Sequence, residues 1–201
     1  SDEFNIDEVK LIRALHDAPS VLDRFARGRE RYIAYIRATL LRHLRKDNVV
    51  YHGLAGHFFV DGVSHVLKVR IIADMDERIS LEMKRNSVTW EEAGRVLRND
   101  DEERRKWSRQ LYGIDTWDAR LYDLVIHARK IRIEDAVDII CSTEQLDHFQ
   151  TTPESRRMMD DLALAAEVAS HLVDSYPNAV VTARRGTTTV QVPTSGNDEP
   201  R

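Results

Sequence analysis

Residues 66–73, VLKVRIIA, and residues 122–126, YDLVI, are short apolar runs rich in β-branched side chains, and the chain between them reads as helix. A third run of the same kind, Val49-Val50-Tyr51, precedes them and ends in His52-Gly53. Short strands joined through helices rather than tight turns pair in parallel. The three runs therefore predict a helix-rich α/β fold, a three-layer sandwich around a short parallel sheet. Ligands on such sheets bind beyond the carboxyl ends of the strands. Those ends are His52-Gly53, Ala73-Asp74 and His127-Ala128-Arg129.

Working outward, residues 76–86 begin acidic and end basic at Lys84 and Arg85, which suits a helix dipole. Thr89-x-x-Glu92 has the form of a capping box, so a second helix starts there, with Trp90, Ala93, Val96 and Leu97 on one face. Residues 98–106, RNDDEERRK, interrupt that face without a single apolar residue, and Trp107, Leu111 and Tyr112 restore it. After the third run, residues 133–146 predict an amphipathic helix packing on the sheet through Ala136, Val137 and Ile140. Upstream, apolar spacing predicts helices over 6–17 and 29–46, with a short helix or turn over 20–26 between them.

The composition changes at Gln150-Thr151-Thr152-Pro153-Glu154-Ser155, which reads as a linker. Beyond it come an alanine-rich amphipathic helix, 158–173, and two β-branched runs, 179–183 and 187–192, about Arg184-Arg185-Gly186, the pattern of a hairpin. The expected organisation is a main domain over 1–149, a linker over 150–157, a helix with a hairpin over 158–193, and a disordered tail over 194–201.

Composition excludes several classes. With 201 residues and a net charge of −4, the chain lacks the dense positive surface of a general nucleic-acid binder. No run approaches the roughly 18 apolar residues of a membrane span, and the acidic start Ser1-Asp2-Glu3 is the wrong sign for a signal peptide, so a cytoplasmic location is expected. Cys141 is the only cysteine, which rules out an internal disulfide and suggests a buried structural thiol. His52, His57, His65 and His127 fit no zinc spacing and read as ordinary core or turn histidines.

Two readings compete for the polar interval. Asp100 with Arg104, Asp101 with Arg105 and Glu102 with Lys106 are acid-first (i, i+4) pairs, which stabilise a solvated helix by about 0.2 to 0.5 kcal/mol each. The other reading is a phosphate site, because the guanidinium fork matches phosphate oxygens.

The segments VVYHGLAGHFF, HVLKVRIIADMDERI, EEAGRVLRNDDEERRKWSRQLYG and YDLVIHARKIRIEDAVDII, all between Asn48 and Ile140, resemble in order and spacing the cytidylate kinase-like family of P-loop proteins. The matching elements are a strand ending in glycine, a strand followed by Ala-x-x-x-x-Arg, an Asp-x-x-Arg lid helix, and Tyr-Asp-Leu-Val-Ile before a closing helix. The resemblance implies a nucleotide-binding domain whose family transfers a phosphoryl group from ATP, with Mg2+, to a pyrimidine nucleoside monophosphate. It makes Arg78 a phosphate- or adenine-side arginine, and Asp101 and Arg104, with Arg105 beside them, the lid residues facing the nucleotides. Gly53, with His52 before it, would border the monophosphate pocket, where relatives often carry an arginine and this chain has Leu54. The C-terminal helix and hairpin look like the opening half of a BON domain, a small module associated with membranes or ligand binding.

One family element is missing. None of the eight glycines begins a G-x-x-x-x-G-K-[ST] match, the loop that holds the β- and γ-phosphates. In the fold the resemblance implies, that loop follows a central strand lying between those matched by 49–51 and 66–73. The expectation is an incomplete P-loop-kinase-like sandwich, catalytically incomplete as this chain, that binds nucleotide weakly. Either the two flanking strands pair directly, a second copy fills the gap in a homodimer, or the protein continues upstream. The competing expectation is a non-enzymatic regulatory or oligomerisation module.

Overall fold

The structure, a computed structural model, describes residues 29–53 and 56–193. Its helices are α1 (Arg29–Leu44), α2 (Gly56–Phe59), α3 (Met75–Asn86), α4 (Trp90–Tyr112), α5 (Ile133–Glu144) and α6 (Pro153–Leu172). Its strands are β1 (Val69–Ile72), β2 (Leu124–His127), β3 (Val180–Arg184) and β4 (Thr187–Gln191). The helix expected over 6–17, the helix or turn over 20–26, Leu54 and the tail 194–201 lie outside the described residues. Two compact units form: one joins the described residues up to 63 with those from 153 onward, and the other comprises residues 64–152.

The discontinuous unit is built around α6, which touches α1 and the β3–β4 hairpin. Ser155, Met159, Ala163, Ala166 and Ser170 of α6, and Val173 just past its end, recur every three or four residues and are all buried, one stripe of a helix. Tyr35, Ile36, Ala38, Leu40 and Leu41 are the buried positions of α1, and Leu41 has no exposure at all. Ion pairs fix the two helices antiparallel. Arg31, at the start of α1, meets Asp174 just past α6 at 3.1 Å, while Arg45, just past α1, meets Asp160 near the start of α6 at 2.7 Å. The hairpin is antiparallel, with Val181 opposite Val190 and Ala183 opposite Thr188. Arg185 and Gly186 turn it with φ of 52° and 75°, as a tight two-residue turn requires. Asp161 of α6 accepts hydrogen bonds from both of their backbone N–H groups at 2.8 Å.

Two expectations for this unit are corrected. Residues 49–51 do not form a strand. Asp47 and Asn48 before them take φ of 63° and 51°, and Val50 is 98% exposed; a β-branched run without a ladder partner stays irregular. The linker expected over 150–157 ends early, because Pro153 opens α6. Proline's fixed φ and missing N–H suit the first helical position, so the residue that reads as a breaker is a helix start.

In the unit of residues 64–152, β1 and β2 pair in parallel, Val69 with Leu124 through Ile72 with His127. The Asp123 N–H extends the ladder by donating to the Lys68 carbonyl at 2.8 Å, and the Asp123 carboxylate accepts from the Lys68 N–H at 2.7 Å. The parallel sheet thus has two strands among the described residues, not three. Helices α3 and α4 pack together where Gly94 lies over Ile79; a Cβ at Gly94 would stand 3.2 Å from the Ile79 Cδ1 atom. Ile79, Ala93, Trp107 and Ile126 are buried here. Of the positions expected to pack α5 on the sheet, Ala136 and Ile140 are only half-buried. No residue of α5 is buried, and Val137 is 51% exposed. Cys141, expected buried, is exposed.

Candidate functional site

The α4 helix carries the candidate lid residues, and its ends are fixed by its own sequence. At the start Thr89 accepts from the Glu92 N–H at 3.3 Å, and the Glu92 carboxylate accepts from the Thr89 N–H at 3.0 Å, the expected capping box. At the end Gly113, with φ of 66°, turns the chain back, a conformation glycine adopts without a Cβ clash. The turn brings Asp115 beneath the last turns of α4.

Asp101, Arg105 and Arg109 follow one another at (i, i+4) spacing and so line one face. Each is tied to a residue outside α4. Arg78, in the first turn of α3, donates both terminal nitrogens to Asp101 at 2.6 and 2.8 Å. The pair is partly buried, at 30% and 21% side-chain exposure. The hydrogen bond to Asp101 outweighs desolvation and, with the charges of Asp101 and Asp100, raises the Arg78 pKa. Arg105 forks onto Asp115 through Nε at 3.1 Å and Nη2 at 2.7 Å, and Arg109 reaches the same carboxylate at 2.5 Å. The Trp117 backbone N–H donates to Asp115 at 3.1 Å, and the Arg105 guanidinium lies 4.8 Å from the Trp117 ring centre. The Arg105 hydrogen bonds, then those of Trp117 and Arg109, hold the Asp115 carboxyl well below the usual carboxylate range.

These contacts replace the expected pairing within the helix. Asp101 binds Arg78 and Arg105 binds Asp115 instead of each other. Among the described residues, Asp100 with Arg104 and Glu102 with Lys106 form no ion pair. Arg104 is exposed beside the row, available to an external anion. Of the residues singled out from sequence, the structure thus gathers Arg78, Asp101, Arg104 and Arg105 on α3 and α4. His52 and Gly53 belong to the other unit. There Gly53 takes φ of 154°, and a Cβ on it would meet the Tyr51 hydroxyl at 2.6 Å, so the glycine is required by the backbone and by the tyrosine.

The sequence reading overlooked Asp115 and Trp117. Their signal was a glycine closing a long helix, followed at once by Ile-Asp-Thr-Trp. At the carboxyl ends of β1 and β2 a second charged set forms. The Asp74 carboxylate meets His127 Nε2 at 3.3 Å and Arg129 at 3.4 Å, and Arg129 also meets Glu77 at 3.2 Å. Asp74 and Glu77 thus both pair with Arg129 at the strand ends. The sequence has no G-x-x-x-x-G-K-[ST] match, and the described residues hold no group of three or more His, Cys, Asp or Glu that could bind a metal. No helix among the described residues is long and apolar enough to cross a membrane.

No curated protein and no solved structure matches the chain. A family pattern does: the description of the cytidylate kinase-like family matches residues 1–130 of the 201, a span holding α3, α4, Asp115, Trp117 and every arginine of the row. With nearly two thirds of its length so matched, the chain belongs to the cytidylate kinase-like family.

Proposed function

We propose that this chain binds a nucleotide through the α3–α4 arginine face and that it does not by itself transfer a phosphoryl group. The observation that carries the reading is the arrangement on α4 in a member of a kinase-like family. Two arginines, Arg78 and Arg105, are held in fixed orientation by carboxylates, and Arg104 stands exposed beside them. A guanidinium held in place loses less freedom when it meets a phosphate. The ligand class is a pyrimidine nucleoside monophosphate such as CMP, with ATP as the phosphoryl donor in the intact family. The missing loop is the reason for expecting binding without turnover, since positioning of the β- and γ-phosphates is most of what such catalysis requires.

Two measurements test this. CMP or ATP at millimolar concentration raises the melting temperature, because a ligand that binds only the folded state stabilises it by mass action; no shift with either nucleotide refutes binding. A coupled assay with ATP, Mg2+ and CMP shows no turnover; a rate near or above ~1 per second, ordinary for kinases, refutes the incompleteness.

A second reading, self-association, is favoured by α5. Ile133 and Val137 are one turn apart and 75% and 51% exposed, an apolar stripe open to water. A homodimer in a cytoplasmic setting accounts for that stripe. Sedimentation equilibrium of the full chain shows a dimer if the reading holds, and a monomer at ~100 μM refutes it.

A further inference from the structure

The proposal concerns Trp117, and it rests on the nucleotide-binding reading above. Trp117 lies in the short connection between α4 and β2 and is 54% exposed. A large aromatic ring turned to water is normally free to change rotamer. Here the Arg105 guanidinium lies over the ring, 4.8 Å from its centre, while the Trp117 backbone N–H donates to Asp115 and fixes the main chain that carries the ring. Arg105 is in turn immobilised by its fork on Asp115, which Arg109 braces from one turn further along. Asp115 and Arg109 thus fix the guanidinium that lies over an exposed indole.

Position gives the ring a use. Arg105 is four residues from Asp101, which holds Arg78, and next to the exposed Arg104. Four residues of helix rise about 6 Å. The indole lies against Arg105, and the Asp101 anchor of Arg78 sits roughly one helical turn further along α4, a separation on the scale of one nucleotide. Stacking on an aromatic face is tolerant of base identity, because every base has a π-face. We propose that Trp117 is the platform on which the base of the bound nucleotide stacks, with Arg105 as the backing that holds the ring in place. The site selects for a planar heteroaromatic group attached to a phosphate, and Arg105 acts as a positioning residue.

Calorimetric titration of the full chain with CMP and with ATP, recorded alongside tryptophan fluorescence, tests this on wild type, Trp117→Ala and Trp117→Phe. Loss of one stacked base weakens binding by roughly 5- to 150-fold, so Trp117→Ala falls in that range. Trp117→Phe keeps an aromatic face and stays within about 5-fold of wild type, but the quenching seen on titrating wild type disappears, because Trp90 and Trp107 are not the platform. Unchanged affinity in Trp117→Ala, or quenching that persists in Trp117→Phe, overturns the platform and leaves nucleotide binding standing. Failure of wild type to bind either nucleotide overturns both.

Discussion

The bridge between Arg78 and Asp101 is the most direct point at which to perturb the α3–α4 pair. Two short hydrogen bonds join fully formed charges, with 30% and 21% of the side chains exposed. Exposed ion pairs are worth about 0.2 to 1 kcal/mol, and removing one partner of a fully buried pair costs about 3 to 5 kcal/mol. Partial burial and two-point geometry place Arg78→Gln or Asp101→Asn between these, at about 1.5 to 2.5 kcal/mol each, with a coupling of about 1 to 2 kcal/mol. For a chain of this length a loss of 1 kcal/mol lowers the melting temperature by about 2 to 4 °C, so each single variant melts about 3 to 10 °C lower. Urea unfolding of wild type, both single variants and the double variant, followed by tryptophan fluorescence, gives the coupling directly. Trp107, buried on α4, is a suitable reporter. If the double variant costs the sum of the singles within about 0.3 kcal/mol, the two side chains are not coupled and the bridge contributes nothing.

Three further outcomes follow from the same geometry. Leu41→Ala empties a position with no exposure in the α1–α6 interface and costs about 2 to 5 kcal/mol in urea unfolding; a cost below about 1 kcal/mol means that the two helices do not share a tight core. Asp161→Ala leaves the Arg185 and Gly186 amides without their acceptor and costs about 1 to 2 kcal/mol, with amide exchange rising first across β3 and β4; exchange unchanged there contradicts the clamp. In acid the sign is set by Asp115, whose folded pKa is depressed, chiefly by Arg105. Its contribution is complete above the unfolded value near ~3.9 and fades as pH falls below about 4. Asp118 and Asp135, lowered mainly by Arg120 and Arg132, act in the same sense. Melting temperatures between about pH 5 and pH 2 fall less steeply for Asp115→Asn than for wild type, and identical slopes refute the assignment.

Elements whose signals are local were legible in the sequence. The capping box at Thr89 and Glu92 and the Arg185-Gly186 turn form through neighbours a few residues away, and the runs that became β1 and β2, though they pair across some fifty residues, each carried a local β-branched signal. What escaped was decided by distant partners. The acid-first pairs of α4 were sound helix chemistry, but Asp101 found a two-point fork on Arg78 of α3, and Arg105 found one on Asp115 beyond the helix end. A fork outcompetes a single exposed pair, and nothing in residues 98–106 alone announces it. Val49-Val50-Tyr51 fails as a strand for a related reason, since β-propensity describes fit to a neighbouring strand and no such strand pairs with it among the described residues. The candidate site was half visible: its arginines stood out, whereas Trp117 became visible only through the turn at Gly113.

The discontinuous unit has a consequence for the order in which the protein is made. Leu44 ends α1 and Pro153 begins α6, so roughly a hundred residues of chain separate two helices that share one core. Contacts of such long range are slow to form, because loop closure must come first. On the ribosome, synthesis proceeds from the N-terminus at about 5 to 20 residues per second. The apolar side of α1 therefore waits on the order of ten seconds for α6 to emerge, while residues 64–152 are already complete and free to fold. The interval is one in which Leu40 and Leu41 need protection, and chaperone dependence of expression should map to α1 rather than to the inserted unit.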